Sequence, residues 1–260
     1  VRTFVHSNYT QRPSPPDEKP PEGLDWDFWC GPAPLRPFNR RIHPQGFRQF
    51  LDFANGQLGD WGVHWLDQVL WWTEEKYPKT VYSTGSKNIF SDIADAPDTQ
   101  VVVYEFDSFT CTWEHRFYAG NEPEKHNMGC YFYGTKGTLH LGWRDGWTFY
   151  PPPRDEHDDH NKTDQTGQIL HEDPKMHTRD AHNIPELWTD FIDAVKTRRK
   201  PICDIEIGHR STNMSLLGML SLKLGRSIKW DGVKEVVIGD EEANKLLRRD
   251  YRQPWVYPEL

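Results

Sequence analysis

The 260-residue chain is long enough to bury a substantial core as one large domain or two small ones. Only 36% of its residues are hydrophobic, but 13% are aromatic and 12 are Trp, and rings that bury so much area each exclude a disordered chain. A net charge of −8 with no basic run longer than "TRRK" excludes nucleic acid as an expected partner, and no apolar run approaches membrane-spanning length.

The sequence therefore predicts a soluble protein with no membrane partner and leaves the compartment, cytoplasmic or periplasmic, open. Cys30, Cys111, Cys130 and Cys203 are scattered without a CxxC pair and are expected as free thiols.

The chain opens on "VRTFVHSNYT", which alternates like a strand already under way and has neither initiator Met nor signal pattern. The expectation is a domain cut from something longer. "QRPSPPDEKPPEG" then enforces an extended passage, and "LDWDFWCGPAPLRPFN" continues as an irregular loop. The aromatic-rich stretch 20–55 carries Trp26, Phe28 and Trp29 too close together for a bare surface linker, so it is expected to pack over something. Residues 59–72 form the first convincing helix, with Val63, Leu66, Val69 and Leu70 at helical spacing.

A strand-rich middle follows: "KTVYSTGS", "TQVVVYEFDSF", "TCTWEHRFYA", "MGCYFYGT", "KGTLHLGW" and "DGWTFYPPP" are β-branched, aromatic or alternating. Residues from about 154 to 182 read as a polar insertion. Its "DEHDDH", with His171 and His177, is expected as a solvated acidic loop without a metal.

The last third is helical. "ELWTDFIDAVKTRR" and "HRSTNMSLLGMLSLKLG" are the helices, the second stopped by Gly225. "SIKW" and "KEVVIG" are short strands, and Asp240 caps "EEANKLLRR". The fold class is α+β: one domain over 1–260, a large open mixed or antiparallel sheet with helices on one face.

Chemistry concentrates in "NGQLGDWGVHWLDQ". Asp60, His64 and Asp67 fall at i, i+4 and i+7, one face of a helix. A carboxylate one turn before a histidine holds the ring for acid/base work. Gly56, Gly59 and Gly62 leave room for a ligand. The same spacing also fits a helix start capped by Asp60 with His64 in a polar patch. HxxD alone is no metal signature, and no metal is expected.

"GPAPLRPFNRRIHPQGFRQFLDFANGQLGDWGVHWLDQ" resembles the Gfo/Idh/MocA family, the glucose–fructose oxidoreductase and inositol dehydrogenase relatives, most closely a bacterial subgroup. "YGTKGTLHLGW", "HRSTNMSLLGMLSLKLGRSIKWD" and "GDEEANKLLRRDYRQPW" resemble later family segments, in family order. The resemblance implies a two-domain oxidoreductase: an N-terminal Rossmann domain that binds NAD or NADP, and a C-terminal α+β domain that supplies a sheet, much of the substrate pocket and the oligomer interface. It makes His64 the catalytic group that takes or returns a hydroxyl proton, and Asp60 its partner, orienting the ring or touching the sugar.

The cofactor half is missing. No strand–GxGxxG–helix unit occurs, and "GTKG" lies between two strands as a hairpin turn. "DEKPP" contains Lys19 in a Pro-rich segment and is read as coincidence with the family's Glu-Lys-Pro. The chain is thus expected to be the C-terminal domain alone, to bind no dinucleotide tightly and to be inactive by itself. Its expected partners are a small sugar or polyol, the missing Rossmann domain and further copies of itself through the sheet, as a homo-oligomer.

Candidate substrate contacts are Arg48, Asn39 and His43 for hydroxyls or a carboxylate, Trp26 for stacking on a sugar face, and Tyr251 and Arg252 from a returning tail; packing roles stay open for each. The alternative to a dehydrogenase is a non-redox module: a sugar-binding or assembly scaffold, or a lyase or hydrolase that reuses His64.

Overall fold

The computed structural model describes residues 1–120, 126–143, 146–150 and 183–258. The polar insertion at 154–182, with its acidic–histidine run, lies outside them. The described strands are β1 (Arg2–His6), β2 (Thr80–Ser86), β3 (Thr99–Glu105), β4 (Thr110–Arg116), β5 (Met128–Gly134), β6 (Gly137–Leu141), β7 (Trp147–Tyr150), β8 (Ile228–Asp231) and β9 (Val236–Val237). They form one sheet in the order β7-β6-β5-β1-β4-β3-β2-β8-β9. Only β1 and β4 run parallel; every other neighbouring pair is antiparallel.

Five α-helices accompany the sheet among the described residues: α1 (Trp26–Cys30), α2 (Val63–Thr73), α3 (Asn183–Thr197), α4 (Ile205–Leu224) and α5 (Glu241–Lys245). The irregular loop expected at 24–39 contains α1, whose start is fixed by Asp25 accepting from the Phe28 amide. Helix α4 starts earlier than its apolar pattern suggested, because Asp204 caps it by accepting from the Ile207 amide. Its end at Gly225, in left-handed conformation, is where the sequence placed it.

The alternation in β2, β3 and β4 sorts side chains to two faces. Val81, Val102, Tyr104, Cys111 and Trp113 point to the helix side, where they meet Leu66, Val69, Met214 and Leu217 of α2 and α4 in the main core. Each aliphatic side chain so buried contributes about 1.5–3 kcal/mol. Helix α4 lies close: a Cβ on Gly218 would sit 2.7 Å from Leu58 Cδ2 and 3.0 Å from the Tyr104 hydroxyl. Tyr104 donates that hydroxyl to the Met214 carbonyl, which ties sheet to helix.

The other face has no helix over it among the described residues. Tyr82, Val101 and Tyr133 stand exposed there. On the same face Glu114 gathers His6, Arg116 and Arg2, with nitrogens 3.2–3.4 Å from its carboxylate. The neighbouring His6 ring outweighs burial and, with both arginines, holds the Glu114 carboxyl down at about 2.

His115 is fixed as one tautomer. Trp113 Nε1 is a donor only, so His115 Nδ1 accepts from it at 3.2 Å and Nε2–H donates to the Pro97 carbonyl at 3.2 Å. Burial, opposed by that bond to Pro97, pushes its pKa down from 6.5 to about 4. A folded pKa below the unfolded one means that His115 stabilises the fold fully above pH about 6.5, and that this contribution is lost as pH falls through about 4. Urea midpoints measured across that window are expected to fall further for the wild type than for His115→Asn. A gap that stays constant with pH would refute this.

A smaller core joins the aromatic-rich block. Trp26, Cys30, Phe38, Ile42, Phe50 and Ala94 are its buried members, with Trp29, Phe47 and Phe53 packed against them. The stretch thus packs largely on itself, joined by Ala94.

Candidate active site

The helix carrying "GDWGVH" begins irregularly. Gly56 takes a positive φ of 58°, and a Cβ there would meet Ala96 Cβ at 2.9 Å, so only glycine lets the 87–98 segment approach so closely. A single π-helical turn, Leu58–Gly62, then precedes α2. Such turns are rare and cluster at functional sites. The turn is held from beneath: Ser215 of α4 donates its hydroxyl to the Leu58 carbonyl at 2.9 Å, and Gly62 passes over Trp113.

A cavity of about 530 Å³ opens at this turn. Asp60, Trp61 and His64 line it from the helix, and Trp143 from the segment after β6. Arg48 comes from a 3-10 turn, Gly46–Gln49. Lys87, Asp92 and Asp98 come from the segment after β2, and Tyr9 and Arg12 from the chain beyond β1.

His64 is exposed and makes no hydrogen bond among the described residues. Its ring is flanked by Trp61 at 6.1 Å and Trp143 at 5.5 Å, both edge-on. Asp60 does not pair with it. Arg48 Nε donates to Asp60 Oδ1 at 2.9 Å, and the same guanidinium lies over the Phe47 ring. The stacking expected from an i, i+4 spacing does not carry across the wide π turn, so Asp60 meets the 3-10 turn instead. Asp67, the third residue of the expected face, accepts from Ser211 and fastens α2 to α4.

Two buried polar groups on the cavity wall have unused capacity. Asp98 Oδ2 accepts from the Ile89 and Phe90 amides, while Oδ1 is buried without a partner. Gln57, also buried, makes no side-chain hydrogen bond among the described residues. Groups of this kind are satisfied by ligand hydroxyls or by water. Nearby, Asp92 is shared by Arg41 at 2.8 Å and Lys87 at 2.9 Å. Burial opposes its ionisation, but hydrogen bonds from both cations prevail and keep its pKa low.

Of the site residues expected from sequence, His64, Asp60 and Arg48 meet at the cavity. The others do not line it. Asn39 is buried and donates to the Pro15 carbonyl and to Asp17. Trp26 is buried, donates to the Arg36 carbonyl and stacks on Trp29. His43 stands edge-on to both of those tryptophans. Tyr251 stacks on Tyr257, and Arg252 clamps the tail to the Ala33 and Gly31 carbonyls and to Asp27. Sequence reasoning passed over Trp61, Trp143, Arg12, Lys87 and Asp98. Only Trp61 carried a local signal, lying inside the singled-out helix.

An open, mostly antiparallel sheet backed by helices fits an oxidoreductase C-terminal α/β domain. The chain belongs to the Gfo/Idh/MocA family: the model described as "Oxidoreductase family, C-terminal alpha/beta domain" matches residues 6–87 and 171–257. No curated protein sequence matches it.

Among solved structures, a NAD-binding protein from Listeria innocua aligns at 17% identity and a TM-score of 0.55, over 88% of this chain and 54% of that one. The WlbA dehydrogenase from Bordetella pertussis, in complex with NADH and UDP-GlcNAcA, aligns at 15% and 0.56, over 88% and 56%. Levoglucosan dehydrogenase, in complex with NADH and L-sorbose, aligns at 14% and 0.55, over 90% and 59%. The chain thus spans little more than half the length of these structures. No described helix is long and apolar enough to cross a membrane.

Proposed function

We propose that this chain is the substrate-binding domain of an NAD(P)-dependent oxidoreductase acting on a sugar, polyol or related secondary alcohol, with His64 as the acid/base. The observation that carries the reading is the exposed His64 imidazole, without a hydrogen bond among the described residues, on the wall of a cavity where Gln57 and Asp98 have spare hydrogen-bonding capacity among those residues. Trp61 and Trp143 add flat apolar surface beside it, which suits the C–H face of a sugar ring. The complexes of WlbA with UDP-GlcNAcA and of levoglucosan dehydrogenase with L-sorbose agree with that substrate class.

The described residues do not fit a dinucleotide. Their one parallel strand pair, β1 and β4, has no Gly-rich strand-to-helix turn, and Gly134 and Gly137 face each other across the β5–β6 hairpin. We therefore assign the hydride acceptor to a separate dinucleotide-binding domain. This chain's share is to hold the alcohol and take its proton on a ring nitrogen of His64 as the carbonyl forms. Asp60, engaged by Arg48, acts here on the substrate: the pair offers a carboxylate oxygen and guanidinium N–H groups to neighbouring hydroxyls.

The test is sugar- or polyol-dependent reduction of NAD or NADP by the complete enzyme; no turnover across neutral and acidic sugars and polyols would refute the reading. We also assign the uncovered sheet face, with Tyr82, Val101 and Tyr133, as the surface through which copies associate. Light scattering is expected to give at least a dimer, and a single-chain mass would refute it.

A further inference from the structure

We infer that the cavity selects a substrate bearing an anionic substituent, a carboxylate or a phosphate, and that Arg12 is the residue that reads it. This rests on the reading of the cavity as a sugar or polyol site and narrows its substrate class.

Among the described residues, four cations line the cavity, Arg12, Arg41, Arg48 and Lys87, against three carboxylates, Asp60, Asp92 and Asp98. These residues make the described wall positive by one charge, His64 left aside, in a chain whose net charge is −8. Three of the cations are committed: Arg48 to Asp60, and Arg41 and Lys87 to Asp92. Arg12 has no carboxylate and no hydrogen-bond partner among the described residues.

Arg12 is nevertheless held in place. Its guanidinium lies 5.6 Å from the centre of the Tyr9 ring, and Tyr9 stands edge-on to Phe117 at 4.7 Å. The segment is pinned beside it by Gln11, which donates to the Ser91 hydroxyl and accepts from the Ser91 amide. A guanidinium stacked on a ring keeps its N–H edge free, and that planar fork matches a carboxylate or phosphate in bidentate fashion. The same edge offers a neutral hydroxyl a weaker, uncharged-acceptor bond.

The test is equilibrium binding by calorimetry to the full chain, with D-glucose, D-glucuronate and D-glucose 6-phosphate as probes, for wild type and Arg12→Gln. Arg12 is exposed and outside both cores, so its substitution leaves the fold intact. At least one acid is expected to bind about tenfold or more tighter than glucose, and Arg12→Gln to remove most of that preference. Whichever acid gains more identifies the anion as carboxylate or phosphate. Equal binding of glucose and both acids, or a preference that survives in Arg12→Gln, overturns the inference and leaves the sugar reading standing. Binding of none of the three overturns both.

Discussion

Replacing His64 with alanine is expected to lower the turnover of the complete enzyme by about 10²- to 10⁴-fold, with cofactor affinity nearly unchanged. The size follows from the role: without a positioned base, the hydroxyl must lose its proton to water while the carbonyl forms. The substitution is clean, because His64 is exposed and its ring neighbours among the described residues are Trp61 and Trp143. Its loss removes little packing, so an unchanged melting temperature is expected beside the kinetic defect. Steady-state kinetics and cofactor titration on one preparation check both statements. Retained turnover would overturn the assignment of His64 as the base.

The largest expected effect on stability comes from Trp113→Ala, about 3–5 kcal/mol. That is a large share of the roughly 5–15 kcal/mol that holds a domain of ordinary stability together. Trp113 is fully buried at the centre of the main core. Truncation leaves a ring-sized cavity and takes from His115 Nδ1 the donor it accepts from. Trp113 also supports Gly62, the last residue of the π turn, so the floor beneath the site loosens together with the core. Urea denaturation measures the change, and a loss below about 1 kcal/mol would show that the core collapses around the gap.

Much of the sheet was legible because its signal is local. The alternation in "TQVVVYE" and "TCTWEHR" states which side chains are buried before any partner strand is known. The strand order was not legible, since pairing β1 with β4 joins residues more than a hundred positions apart. The site divided along the same line. His64 stood out within its own helix, whereas Arg12, Lys87, Asp98 and Trp143 reach the cavity from three other segments and carry no shared spacing.

Asn39, Trp26 and Arg252 drew notice for good chemical reasons. Polar and aromatic groups that build a small aromatic core look, in one dimension, like groups that hold a ligand. The Asp60–His64 spacing misled for a narrower reason: it assumed an uninterrupted α-helix, and Leu58–Gly62 is not one.

That interruption sets the phase between the turn that enters the helix and the helix itself. Each residue of an α-helix advances about 100° around the axis, so a local change in winding offsets everything beyond it. Gln57 and Leu58 keep their orientation toward the cavity and α4, while Trp65, Leu66 and Val69 keep theirs toward the core. The π turn works as a splice between these two registers. It lets the entering turn, with Gln57 on the cavity, be aimed separately from the helix that follows, which carries His64 and the core anchors Trp65, Leu66 and Val69 together.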